Sequence, residues 1–221
     1  MKAIAQAGGE RHPDLARHLV SEFVDCCSSS SSSSSSCREE NEDGESPSLR
    51  MLSIIVTNYG RLSKQLTPTN DDGVLTKLLP MLNRSGRTAT ATPTSGRDVS
   101  NIVFGCGLIL SKIVQPGGGE HAKVLKTIIT QFSKLATALE LKPSEASMIM
   151  VTIAKHDVRS AVPDVYPILR MKIFKEMELG EVGGEVSSQT IANLLFSCEE
   201  MDDGVEQSQE IIDKYYRLIV G

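Results

Sequence analysis

The chain repeats itself. Val186-Ser-Ser-Gln-Thr-Ile-Ala-Asn-Leu-Leu-Phe-Ser-Cys198 matches Thr94-Ser-Gly-Arg-Asp-Val-Ser-Asn-Ile-Val-Phe-Gly-Cys106, with Asn193 on Asn101, Phe196 on Phe104 and Cys198 on Cys106. Ala192 and Ser197 fall on Ser100 and Gly105, small residues in every case. A third copy, Leu141 to Ile153, puts Met148 in the Asn slot. A weaker fourth puts Ser53 there, followed by Ile54, Ile55, Val56 and Thr57. Slots 53, 101, 148 and 193 are 48, 47 and 45 residues apart. Each copy is followed by a second amphipathic segment, at 74–82, 123–139, 165–177 and 209–219. The unit is therefore helix, turn, helix. Two such helices cannot bury an apolar face alone, whereas neighbouring hairpins share a continuous core. The expected fold is all-α, a right-handed α-α superhelix or solenoid of about four hairpins of roughly 45–48 residues each.

The hydrophobic pattern agrees. Met51, Leu52, Ile54, Ile55, Val56, Tyr59 and Leu62 recur at helical spacing, as do Val74, Leu75, Leu78, Leu79, Met81 and Leu82. Pro80 inside the second set predicts a kink or an early end, and residues 83–97 read as a loop. A helix through Ile102, Val103, Phe104, Leu108 and Ile113 stops before Pro116 and Gly117 to Gly119. Helices follow at 122–140, 144–156, 164–178, 187–200 and 205–219, separated by Pro143, Pro163, Gly183–Gly184 and Gly204. No stretch alternates with the period of two that a strand needs. The small residues of the motif let neighbouring helices approach closely, and the Asn beside them is expected to bond the backbone of a neighbouring turn.

Three regions differ in composition. Residues 1–27 hold one apolar stripe, Leu15, Leu19, Val20 and Phe23, which fits a short helix or the remains of an earlier repeat. Glu10, Asp14 and Glu22 interrupt the Arg pattern that a mitochondrial presequence would show. Ser28 to Ser36 is unbroken serine, and Cys37 to Glu45 is mostly charged. Neither stretch can bury enough apolar area to offset chain entropy, so 28–45 reads as a disordered linker. The helical-repeat domain spans 46–221. Cys106 and Cys198 lie in apolar segments as small core residues, while Cys26, Cys27 and Cys37 flank the serines at spacings that fit no zinc template. No apolar run approaches the roughly 20 residues of a bilayer span.

Charge is uneven. Residues 46–178 carry 17 basic and 10 acidic side chains, a balance of +7, between flanks at −5 and −7. A basic body can attract a polyanion. The second helices and their turns supply Lys77, Arg84 and Arg87, then Lys123, Lys126 and Lys134, then Arg170, Lys172 and Lys175. Equivalent helices of successive hairpins face the same way, so these nine form either a phosphate-binding stripe or ordinary solvated positions opposite the apolar faces. Base contacts are expected near the first-helix starts, at Arg97, Asp98, Lys142 and Gln189. With 4% aromatic residues and no Trp, the chain suits neither an immunoglobulin-like sandwich nor an aromatic RNA-stacking platform. Enzyme motifs are missing: Gly117 to Gly119 lacks P-loop spacing, and no G-x-S-x-G or H-E-x-x-H occurs. His121 and His156 have no partners at an informative spacing, and Glu199–Glu200 and Asp202–Asp203 read as solvated helix-end charges. No catalytic residue, metal ligand, cofactor or small-molecule substrate is predicted.

Ile191-Ala-Asn-Leu-Leu-Phe-Ser-Cys-Glu-Glu-Met201 resembles the first helix of the repeats that accompany RAP domains, in the octotricopeptide, heptatricopeptide and FAST-kinase-like proteins. That helix typically reads apolar-Ala-Asn-apolar-apolar-Trp-Ala-apolar-Ala-Lys. Ser100-Asn-Ile-Val-Phe-Gly-Cys106 is similar, and Met150-Val-Thr-Ile-Ala-Lys155 resembles its end. Asn101, Phe104, Cys106, Asn193, Phe196 and Cys198 would then be the structural residues of the repeat. The resemblance implies stacked α-hairpins that bind organellar RNA or hold ribosomal RNA fragments, in a mitochondrion or chloroplast. Departures are Phe for Trp, longer repeats, an acidic last segment and no visible RAP-like domain. Val220-Gly221 follows directly on a helical segment, which leaves room for a longer protein carrying that domain. The alternative is a cytoplasmic scaffold of the same architecture with a protein partner. Neither reading involves a membrane.

Overall fold

In a computed structural model the described residues are His18, 20–22, 24, 25, 47–66, 73–88, 94–113, 119–178, 186–200, Gln209 and Asp213. The serine-rich linker, Cys26, Cys27, Cys37 and all of the helix expected at 205–219 except Gln209 and Asp213 lie outside them. The protein is all-α, with no strand among the described residues: α1 Leu49–Leu66, α2 Gly73–Thr88, α3 Gly96–Ile113, α4 Glu120–Thr137, α5 Pro143–Lys155, α6 Val165–Glu178 and α7 Ser188–Glu200, with a 3-10 turn at Arg159–Ala161.

Local chemistry sets where the odd-numbered helices begin. Ser48 Oγ accepts the Met51 N–H at 3.3 Å, Ser95 Oγ the Arg97 N–H at 3.2 Å and Ser187 Oγ the Thr190 N–H at 3.2 Å. A serine in this position satisfies a donor that the first turn leaves open. At α5 the same work is divided. Pro143 occupies the first turn, where its missing N–H costs nothing, and the Glu145 carboxylate accepts the Lys142 N–H at 3.0 Å. The four caps, Ser48, Ser95, Lys142 and Ser187, are 47, 47 and 45 residues apart.

These caps correct the repeat register. Ile54, not Ser53, occupies the slot of Asn101, and Ser53 is the counterpart of Ser100 and Ser147. Hydrogen bonds carry the same register. Ser53 Oγ donates to Asp98 Oδ1 at 2.8 Å, and Ser100 Oγ to the Glu145 carbonyl at 3.1 Å. Both acceptors stand three residues after a cap. Polarity makes Ser53 the better analogue of an Asn, yet Ser53 is buried and Ile54 is 44% exposed.

The end of α5 is also fixed locally. The Asp157 N–H bonds the Ala154 carbonyl at 3.4 Å and the Val158 N–H bonds the Ile153 carbonyl at 3.3 Å. Asp157 takes φ 50° to close this turn, a left-handed conformation usually given to glycine. By contrast α2 does not end early. It runs through Pro80 to Thr88, so 83–88 are helix rather than loop, as are the first residues of α3 at 96 and 97. Pro80 lies on the exposed side of α2, while Leu78, Leu79 and Leu82 are buried and hold the helix to its neighbours.

Packing links α1 to α3, α3 to α5 and α5 to α7, and separately α2 to α4 and α4 to α6. Within hairpins, α3 packs on α4 and α5 on α6. One apolar core runs through all of them, from Leu52 and Leu75 through Ile102, Leu125 and Ile149 to Leu194. Val20 and Val24 join it as buried residues, and Asp25 pairs with Lys77 of α2. His18, Val20, Ser21, Glu22, Val24 and Asp25 are helical.

Close approach at α1–α3 depends on glycine. A Cβ built on Gly105 would stand 2.8 Å from Thr57 N and from the Val56 carbonyl group, inside any permitted contact. The Thr57 hydroxyl bonds the Asn101 carbonyl at 2.9 Å across the same seam. Asn193 does not reach a neighbouring turn. Its Nδ2 donates to Ser147 Oγ on α5 at 3.3 Å, and its Oδ1 accepts from Gln189 at 2.9 Å. Cys106 and Cys198 are core residues with free thiols, and the Tyr166 hydroxyl donates to Cys198 Sγ at 3.3 Å. Phe104 and Phe196 are only half-buried, with Lys155 lying 5.3 Å over the Phe196 ring.

Candidate nucleic-acid interface

All nine cations expected to meet phosphate stand on α2, α4 and α6. Their roles divide. Lys77, Arg84 and Arg87 are exposed on α2, whose sequence holds no acidic residue. Spacings of seven and three residues put them on one side, opposite Val74, Leu75, Leu78, Leu79 and Leu82. Lys123, Lys126 and Lys134 are exposed on α4 and share a side in the same way, opposite Leu125, Ile128, Ile129 and Phe132. Lys175 is exposed on α6. These seven cations are exposed on the even-numbered helices, with Lys77 also engaged by Asp25.

Lys172 and Arg170 are used differently. Lys172 Nζ donates to the carbonyls of Ala136 at 3.4 Å, Thr137 at 2.8 Å and Leu139 at 2.5 Å. It closes the C-terminal end of α4, where carbonyls lack helical partners and a cation is favoured. Burial lowers the Lys172 pKa from its ordinary value, and the nearby Glu140 carboxylate acts in the opposite direction. Arg170 is half-buried, its guanidinium 5.8 Å from the Phe174 ring centre. Sequence periodicity cannot separate a lysine that reaches solvent from one that reaches the end of the adjacent helix.

Among the first-helix starts, Arg97, Lys142 and Gln189 are exposed. Asp98 is instead occupied by the Ser53 hydroxyl. Arg97 and Lys142 meet at a cleft of about 810 Å³ between the start of α3, the α4–α5 turn and the end of α6. Lys172, Lys175, Glu140, Glu145 and Glu176 also line it. The cleft joins residues about 80 positions apart, so no local pattern marks it.

His156 is half-buried. It ends α5, and its hydrogen bond with the Gly107 backbone joins that end to α3. Burial lowers its pKa from the ordinary value, Lys155 and Lys126 add to this, and the Gly107 bond opposes it. The Cys106 thiol is pushed up by burial, away from thiolate reactivity. No group of three or more His, Cys, Asp or Glu residues that could hold a metal ion occurs among the described residues. None of the described helices is long and apolar enough to cross a membrane. No protein-family model, curated protein or solved structure matches this chain.

Proposed function

We propose that the protein is a non-catalytic RNA-binding α-solenoid of about four hairpins, wound as a right-handed superhelix. Its positive face is carried by the second helices α2, α4 and α6. The observation that supports this most directly is the set of seven exposed cations on α2, α4 and α6, on sides opposite the buried stripes. Polyanion binding needs this arrangement, since each phosphate neutralised releases condensed counterions. The proposal includes kinship with the RAP-associated repeat proteins, based on the motifs at 100–106 and 191–201, and a mitochondrial place of action with organellar messenger or ribosomal RNA as partner.

Filter binding of a labelled RNA over a salt series tests the reading. Affinity should fall linearly on a log–log plot, and Arg84→Gln with Arg87→Gln should make the slope shallower by about 1 to 2. An affinity that ignores salt, or none at all, rejects it.

A second reading is a protein-binding scaffold. Met51 and Ile54, 37% and 44% exposed on α1, favour it, because large apolar side chains in one exposed patch suit a protein partner. RNA-independent co-purification of one stoichiometric protein, lost in Ile54→Asp, would choose this reading.

A further inference from the structure

We infer that the cleft between the start of α3 and the α4–α5 turn seats one nucleotide of single-stranded RNA, its phosphate between Arg97 and Lys142. This rests on the RNA-binding reading above and adds a specific place to it.

The cleft has a fixed frame. Lys172 ties down the carbonyls of Ala136, Thr137 and Leu139, the stretch leading into the turn. Glu145 holds the Lys142 backbone at 3.0 Å. Opposite, Gly96 packs against the turn so tightly that a Cβ there would stand 2.7 Å from Leu141 Cδ2. Both walls are therefore set before any ligand arrives, which lowers the ordering cost of binding.

Three of its cations are not used by the frame. Arg97, Lys142 and Lys175 are exposed, and no described carboxylate lies within ion-pair distance of them. Glu140 and Glu176 are exposed in the same cleft. Three cations attract one phosphate, while the carboxylates of Glu140, Glu145 and Glu176 disfavour a second phosphate packed alongside. The carboxylates also accept hydrogen bonds from the 2′-hydroxyl or from a base amine. A volume of about 810 Å³ admits an unstacked nucleotide. A base pair stacked within a duplex cannot enter such a concave site, so the ligand is single-stranded.

The test uses the full chain and a single-stranded RNA oligonucleotide followed by fluorescence anisotropy, with circular dichroism to verify folding of each variant. Arg97→Gln with Lys142→Gln should weaken binding about tenfold or more, and Lys175→Gln should add to the loss. In a ¹H–¹⁵N spectrum, uridine 5′-monophosphate should shift the amides of Gly96, Arg97 and Leu141 more than inorganic phosphate does. If the unmodified protein binds RNA and the double variant binds equally well, the cleft assignment falls and the RNA reading stands. If the unmodified protein binds no RNA, both fall. Equal affinity for duplex RNA, or a phosphopeptide shifting the same amides while uridine 5′-monophosphate does not, overturns the inference.

Discussion

Gly60 of α1 and Gly105 of α3 face each other with almost no space between their backbones: a Cβ on Gly60 would lie 2.7 Å from the Gly105 carbonyl oxygen. The next seam repeats the contact at shifted positions, where a Cβ on Gly107 would lie 2.7 Å from Thr152 Cγ2. In the corrected register Gly60 corresponds to Gly107 and Gly105 to Thr152, each 47 residues on. The α1–α3 and α3–α5 seams thus close at equivalent positions.

Gly105→Ala should destabilise the protein by about 1–3 kcal/mol despite alanine's better helix propensity, because the new methyl meets rigid backbone. Gly73, with nothing within 4 Å of its Cβ position, is the control. Gly73→Ala should be neutral or stabilising by up to about 1 kcal/mol. Urea unfolding of the two variants measures both.

Ser100 is fully buried and donates to the Glu145 carbonyl across the α3–α5 seam. Ser100→Ala should cost about 0.5–1.5 kcal/mol. Ser111→Ala, which removes an exposed bond within the same helix, should stay within about 0.5 kcal/mol of the parent in the same unfolding experiment.

Replacing Lys172 with Met keeps the aliphatic stem and removes the donors to the end of α4. Stability should fall by about 1–3 kcal/mol, and amide exchange at the α4 C-terminus should quicken. Lys175→Met, at an exposed position of the same helix, should move stability by no more than about 0.5 kcal/mol.

Asp157 holds a left-handed backbone that glycine adopts freely. Asp157→Gly should therefore raise the thermal midpoint, corresponding to about 0.5–1 kcal/mol of added stability. A lowered midpoint would mean that the carboxylate does more at this turn than its backbone suggests.

His156 sets a pH dependence with a definite sign. Its folded pKa lies below the unfolded value of about 6.5, so the unfolded chain binds more protons over this interval. Stability should be fully present above about pH 6.5 and decline as pH falls towards the folded pKa. Denaturant titrations between pH 7.5 and pH 5 should show the decline, and His156→Gln should flatten it.

Much of this protein is legible from one strand of text. Helical periodicity marks every described helix, because burying one side of an amphipathic segment needs only local spacing. The repeat predicts that first helices are equivalent, and the small residues at 100 and 105 mark where they touch. Boundaries were less legible: Pro80 reads as a helix stop, but buried leucines on either side of it carry α2 onward to Thr88.

What only the tertiary structure decided is the fate of individual polar groups. Lys172 and Lys175 are three residues apart on one helix, yet one closes the end of α4 and the other reaches solvent. Ser53 resembles an asparagine in polarity, but its burial against Asp98 assigns it to the serine row instead. The cleft at Arg97 and Lys142 exists because α3, α4, α5 and α6 converge there. Hydrophobic spacing is a property of the chain itself. A hydrogen bond or a cavity depends on what distant segments bring to the same point, and that is fixed only when the helices pack.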